Sequence, residues 1–191
     1  MSAILIIDMC NDFFMDGRLK ELRESLCIGI NELSAWGRKN RVPIIWVRQE
    51  FKADLSDAFL SMRKKNISKT IEGTIGAEIL PELHREPNDF EVIKKRYSSF
   101  FQTDLDKILE ENKIEQLILC GTNTHACVRT TAVDAFQRDY EIIIASDCAN
   151  SYDEEHHNVS LKYLSKDIAR VMGNAEIMGH CSATKITMVC F

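Results

Sequence analysis

The chain alternates short apolar runs with amphipathic stretches, and that alternation constrains its fold more than any other feature. AILIID (3–8), PIIWVR (43–48), FEVIKK (90–95), QLILCG (116–121), EIIIASD (141–147) and IARVM (168–172) read as strands. Between them, 18–40, 55–66, 103–113, 124–140 and 153–166 carry apolar residues at helical spacing, the third opened by Thr103 as cap. Parallel strands need crossover helices, and helices on both faces bury the strands completely. The expectation is an α/β fold: a three-layer, doubly wound, mostly parallel six-stranded sheet in one domain over 1–191. The tail from 173 onward is read as an extension in which KITMVCF is a strand or an ordered segment.

Composition narrows the function. A net charge of −5 argues against a nucleic-acid footprint, and no apolar run reaches membrane-spanning length. MSAILIIDMCND meets Asp8 too early for a signal peptide. The seven cysteines are odd in number and scattered, with no C-x-x-C pair, so they read as reduced thiols in a cytoplasmic protein. The first strand is followed by DMCNDFFMDG rather than G-x-G-x-x-G, and Asp8 and Asp12 would repel a pyrophosphate, so no nucleotide is expected.

The most telling segment is LILCGTNTHACVRTTAVDAF (117–136): a buried strand, a turn opened by Gly121, and a helix starting near His125. Cys127 lies in that helix's first turn, where free N–H groups and the dipole favour a thiolate. Ligands of open α/β sheets sit at the carboxyl ends of the strands, where the first and fourth flank the crevice. Asp8 ends the first strand, a costly place for a carboxylate without a task. It is a candidate to take and return a thiol proton. Lys94 ends the third, sharing a face with Val92, while Ile93 and Lys95 share the other.

Three separated motifs resemble those of the isochorismatase-like cysteine hydrolases, which include nicotinamidases, carbamoyl-amide hydrolases and ureidoacrylate hydrolases. They are LIIDMCNDF with Asp8, KKRYSSFFQTDLD with Lys94 six residues before Phe100, and CGTNTHACVRTTAVDAF with Cys127; EGTIGAEILPEL (72–83) matches a family loop. The resemblance implies a Cys127–Asp8–Lys94 triad acting on a small-molecule amide or ureido C–N bond through a thioester. It also implies a non-proline cis peptide at Thr122–Asn123 and an oxyanion hole formed by the N–H groups of Asn123 and Cys127. A homo-oligomer is implied as well. Arg48, Glu50, Tyr97 and His125 are further candidates for substrate contact.

The departures bear on cofactors. Cys10 stands where the family often has Gln. Metal-binding nicotinamidases carry Asp-x-His in the second-strand region, which here reads WVRQEFKAD, so neither a metal nor another cofactor is expected. Two other functions are alternatives on the same fold: vinyl-ether hydrolysis, which does not need Cys127, and a non-catalytic binding or redox role.

Overall fold

The structure is a computed structural model, and it describes residues 1–179. KITMVCF lies outside the described residues. In chain order the main elements are β1 (Ser2–Ile7), α1 (Gly17–Lys39), β2 (Ile44–Gln49), α2 (Leu60–Lys65), β3 (Phe90–Lys94), α3 (Leu105–Glu111), β4 (Gln116–Thr122), a π-helical turn (Thr124–Val128), α4 (Arg129–Phe136), β5 (Glu141–Asn150), α5 (Glu154–Asp167) and β6 (Arg170–Met172). Residues 174–179 are helical.

The strands form one six-stranded sheet in the order β3-β2-β1-β4-β5-β6, every pair parallel. The chain reverses its winding between β1 and β4, which opens a crevice at their carboxyl ends. Side chains alternate across the sheet. Ile4, Ile6, Ile44 and Trp46 pack under α1 with Leu80 and Leu83, while Leu5, Ile7, Ile45 and Val47 pack under α3, α4 and α5. Full burial of such a side chain contributes about 1.5–3 kcal/mol, so covering both faces is the main stabilising term. Among the described residues, no helix is long and apolar enough to cross a membrane.

Two expectations need correction. The helix predicted over 55–66 is confined to Leu60–Lys65. Leu55 adopts a left-handed φ of +58°. Asp57 accepts the Lys52 N–H at 2.9 Å and Asp54 the Ser56 N–H at 2.9 Å. Aspartate turn chemistry therefore prevails over the apolar spacing, and Leu55 and Ala58 are buried against Phe51 and Met62 as a loop. Secondly, the helix after β4 opens as a π-helical turn. Asn123 O accepts from both Ala126 N (3.0 Å) and Val128 N (3.2 Å).

Gly121 is required by close approach. Its φ is +106°, and a Cβ there would lie 2.0 Å from Ile7 O. Ile7 is its β1 partner in the sheet. Gly121→Ala is expected to cost more than about 3 kcal/mol of stability in urea denaturation. A loss below about 1 kcal/mol would mean that β1 and β4 spread freely at the crevice.

Candidate active site

Asp8 follows β1 at a left-handed φ of +54°, a conformation Asp tolerates better than most residues. Its backbone is held on both sides, by Val47 O accepting Asp8 N (2.7 Å) and by Thr122 Oγ1 donating to Asp8 O (3.0 Å). The carboxylate is fully buried. Oδ1 accepts the Gln49 main-chain N–H at 2.8 Å. Oδ2 lies 2.6 Å from Lys94 Nζ and among the described residues makes no further hydrogen bond, so a lone pair remains for the neighbouring thiol.

Lys94 is also fully buried at the end of β3. Its three hydrogens have three destinations: Asp8 Oδ2, Cys127 Sγ at 3.4 Å and Arg96 O at 3.2 Å. Burial works against the ammonium's charge, but Asp8 and then Cys127 more than offset it and hold its pKa above the ordinary lysine value. Lys95, on the other face, makes a partly exposed 3.2 Å pair with Asp57. The strand's alternation thus separates the buried lysine from its neighbour.

Cys127 is 3% exposed, within the π-helical turn. The surroundings oppose the thiolate expected from its place in the first turn. Burial pushes the thiol up to about 12, the Asp8 carboxylate adds to the rise, and Lys94 opposes it only partly. Desolvation therefore outweighs the helix terminus. Modification of Cys127 by iodoacetamide should climb with pH from neutrality towards alkaline values, followed by peptide-mapped mass spectrometry. A plateau already reached near pH 6 would contradict a protonated resting thiol.

The structure places the remaining candidates as follows. The Thr122–Asn123 peptide is cis. Tyr97 is half exposed, with its ring 4.8 Å from that of Phe59. Its hydroxyl is pushed up by burial and then by Cys127 and Tyr152. His125 packs edge-on to Tyr152 at 4.9 Å. Arg48 shares the Trp46 face of β2, away from the layer that holds Val47 and Cys127. With Glu50, Arg85 and Glu91 it lines a cleft of about 550 Å³ under the 73–83 loop. That cleft's lining includes none of Asp8, Lys94 and Cys127, although the Glu50 main-chain N–H donates to Lys94 O at 3.3 Å. Glu50 is engaged by the Arg48 guanidinium, and among the described residues no three His, Cys, Asp or Glu side chains converge as a metal would need. These residues do not fit the metal of the metal-binding nicotinamidases. Cys10 is buried beside Asp8, with its thiol pushed far up by burial and then by that carboxylate, and it packs as a neutral side chain.

Sequence reasoning missed the main-chain partners Gln49 N and Arg96 O, because any residue type can supply a backbone group. It also missed the contact between Thr124 and His157.

The sequence model of the isochorismatase domain matches residues 2–176. This chain belongs to the isochorismatase family. The family's relatives differ in what they are described as doing. Over 84% of its length the chain is 29% identical to a probable inactive nicotinamidase of Arabidopsis thaliana, covering 86% of that protein. An isochorismatase-like hydrolase from Alkaliphilus metalliredigens superposes with a TM-score of 0.82 at 31% identity, covering 94% of this chain and 98% of that one. The N-carbamoylsarcosine amidase of Thermoplasma acidophilum superposes with a TM-score of 0.78 at 26% identity, covering 91% and 96%. The isochorismatase fold of this chain is thus shared with proteins described as hydrolase, amidase and inactive relative.

Proposed function

We propose that the protein is a cysteine hydrolase that cleaves a linear amide or ureido C–N bond of a small molecule through a thioester. The observation that carries this reading is the single buried ammonium of Lys94 touching both the Asp8 carboxylate and the Cys127 sulfur. A buried thiol that must give up its proton to attack needs an acceptor beside it, and Asp8 is the candidate.

The sequence of steps follows from that geometry. As Sγ bonds to the carbonyl carbon, the thiol hydrogen passes to Asp8 and the C=O pair moves onto oxygen. The main-chain N–H groups of Asn123 and Cys127 are the proposed donors to that oxyanion, each worth about 3 kcal/mol in the transition state. Collapse breaks the C–N bond, and the proton on Asp8 goes to the leaving nitrogen. Water then attacks the thioester, losing a proton to Asp8, and that proton returns to sulfur as the C–S bond breaks. Lys94 stays charged throughout and keeps Asp8 ionised between proton transfers. Hydrolysis of a vinyl ether requires an acid and water but no sulfur nucleophile, which is why Cys127 in contact with Lys94 favours the amide reading.

The test is intact-protein mass spectrometry after rapid acid quench, with a panel of small amides, carbamoyl compounds and a vinyl ether. The expected result is a substrate-dependent acyl adduct on Cys127 or amine release that the Cys127→Ala variant lacks. Turnover that survives Cys127→Ala, or cleavage confined to the vinyl ether, would overturn the proposal.

A further inference from the structure

Two imidazole–hydroxyl pairs tie the turn that carries Cys127 to the segment between β5 and α5. Thr124 Oγ1 lies 3.0 Å from His157 Nδ1. Ser151 Oγ lies 3.0 Å from His125 Nδ1 and also accepts the His125 main-chain N–H at 3.3 Å. Thr124 and Ser151 are fully buried, and His157 is nearly so.

The direction of each bond follows from where a buried hydroxyl hydrogen can go. Among the described residues, His157 Nδ1 is the side-chain partner of Thr124 Oγ1, and His125 is that of Ser151 Oγ. A buried hydroxyl must place its hydrogen on an acceptor. Each hydroxyl therefore donates to Nδ1, and this network assigns the ring hydrogen to Nε2. Protonating Nδ1 turns the acceptor into a donor and leaves the hydroxyl hydrogen of Thr124 with nowhere to go. The Thr124 clamp is thus compatible with one charge state of the ring.

The surroundings favour that state. Arg18, at the start of α1, and Glu154, one turn back on α5, are the charged groups that act on His157. Burial and then Arg18 lower its pKa, against a smaller opposing effect of Glu154. Arg18 is itself paired with Glu154 at 3.3 Å, so the carboxylate is shared rather than free to stabilise an imidazolium. His125 is lowered by burial and then by His156, with Asp153 opposing.

We infer that His157 is a positioning residue: its neutral ring holds Thr124, and through it the turn that presents Cys127, so acid releases the turn by protonating His157. The catalytic meaning rests on the reading of Cys127 as nucleophile, but the turn is observable without any substrate.

The test is NMR titration of the whole chain between about pH 5 and 8, following the His157 ring nitrogens and the main-chain amides of the turn. The His157 midpoint is expected below 6.5, and the Thr124 and Cys127 amides should shift with that same midpoint. His157→Asn places an amide oxygen near the position of Nδ1 and cannot titrate. It should keep the turn's neutral-pH resonances and lose the acid transition, whereas His157→Leu should displace those resonances at every pH. Turn amides that ignore the His157 midpoint in the wild-type protein would overturn the inference. So would an acid transition that persists in His157→Asn but disappears in His125→Asn. Failure of the acyl-adduct experiment leaves these shifts untouched, so the two ideas fail separately.

Discussion

Lys94→Met will destabilise the protein by about 3–5 kcal/mol near neutral pH and abolish turnover. The magnitude is that of removing one partner from a buried ion pair. Methionine fills much the same volume, so the loss is electrostatic. Asp8 is left fully buried without its ammonium partner, and Arg96 O loses its donor. The deficit should shrink as pH falls, because an unpaired buried carboxylate takes up a proton. In the wild-type protein the linkage runs at the other end of the scale. The Lys94 pKa is raised above 10.5 in the folded state, so its contribution is complete below that value and is lost as pH rises through the folded pKa. Urea denaturation across pH measures both effects. Lys95→Met, at a partly exposed pair, is the control and should stay within about 0.5 kcal/mol. A Lys94→Met protein of wild-type stability at neutral pH would mean that the pair does not sustain the buried carboxylate.

Cys127→Ala will reduce hydrolysis to background at a modest cost to the fold. Only the sulfur is lost, and alanine is common in the neighbouring packing of Ala132 and Ala135. Asp8→Asn keeps the shape and can still accept from Gln49, but it cannot carry a proton, so kcat should fall by about 10²–10⁴-fold. It also leaves Lys94 beside an uncharged amide, so its folded fraction must be checked alongside its rate. The double variant should be no slower than Cys127→Ala alone, because both residues serve one covalent step. Additive losses would show that Asp8 acts independently of the nucleophile.

Much of the fold was legible because it depends on local periods. The apolar run Ala3–Ile7 and the helical spacing of Leu19, Leu26, Ile30 and Leu33 each point to one element and one buried face. Residues 55–59 have helical apolar spacing yet form a loop, because Asp54 and Asp57 draw the backbone into turns. At the site, Lys94 was separable from Lys95 by strand alternation and motif spacing. Gln49 and Arg96 were not identifiable, since each contributes a main-chain group.

The sequence by itself determined the strand and helix order and the three residues whose motifs frame the site, because period and spacing are carried along the chain. Only the tertiary structure decided the electrostatic surroundings of Cys127 and the clamp on its turn. A pKa depends on what surrounds the group in space. Burial and the Asp8 carboxylate overrule a helix terminus that the sequence makes look activating, and His157 reaches Thr124 across 33 residues of chain.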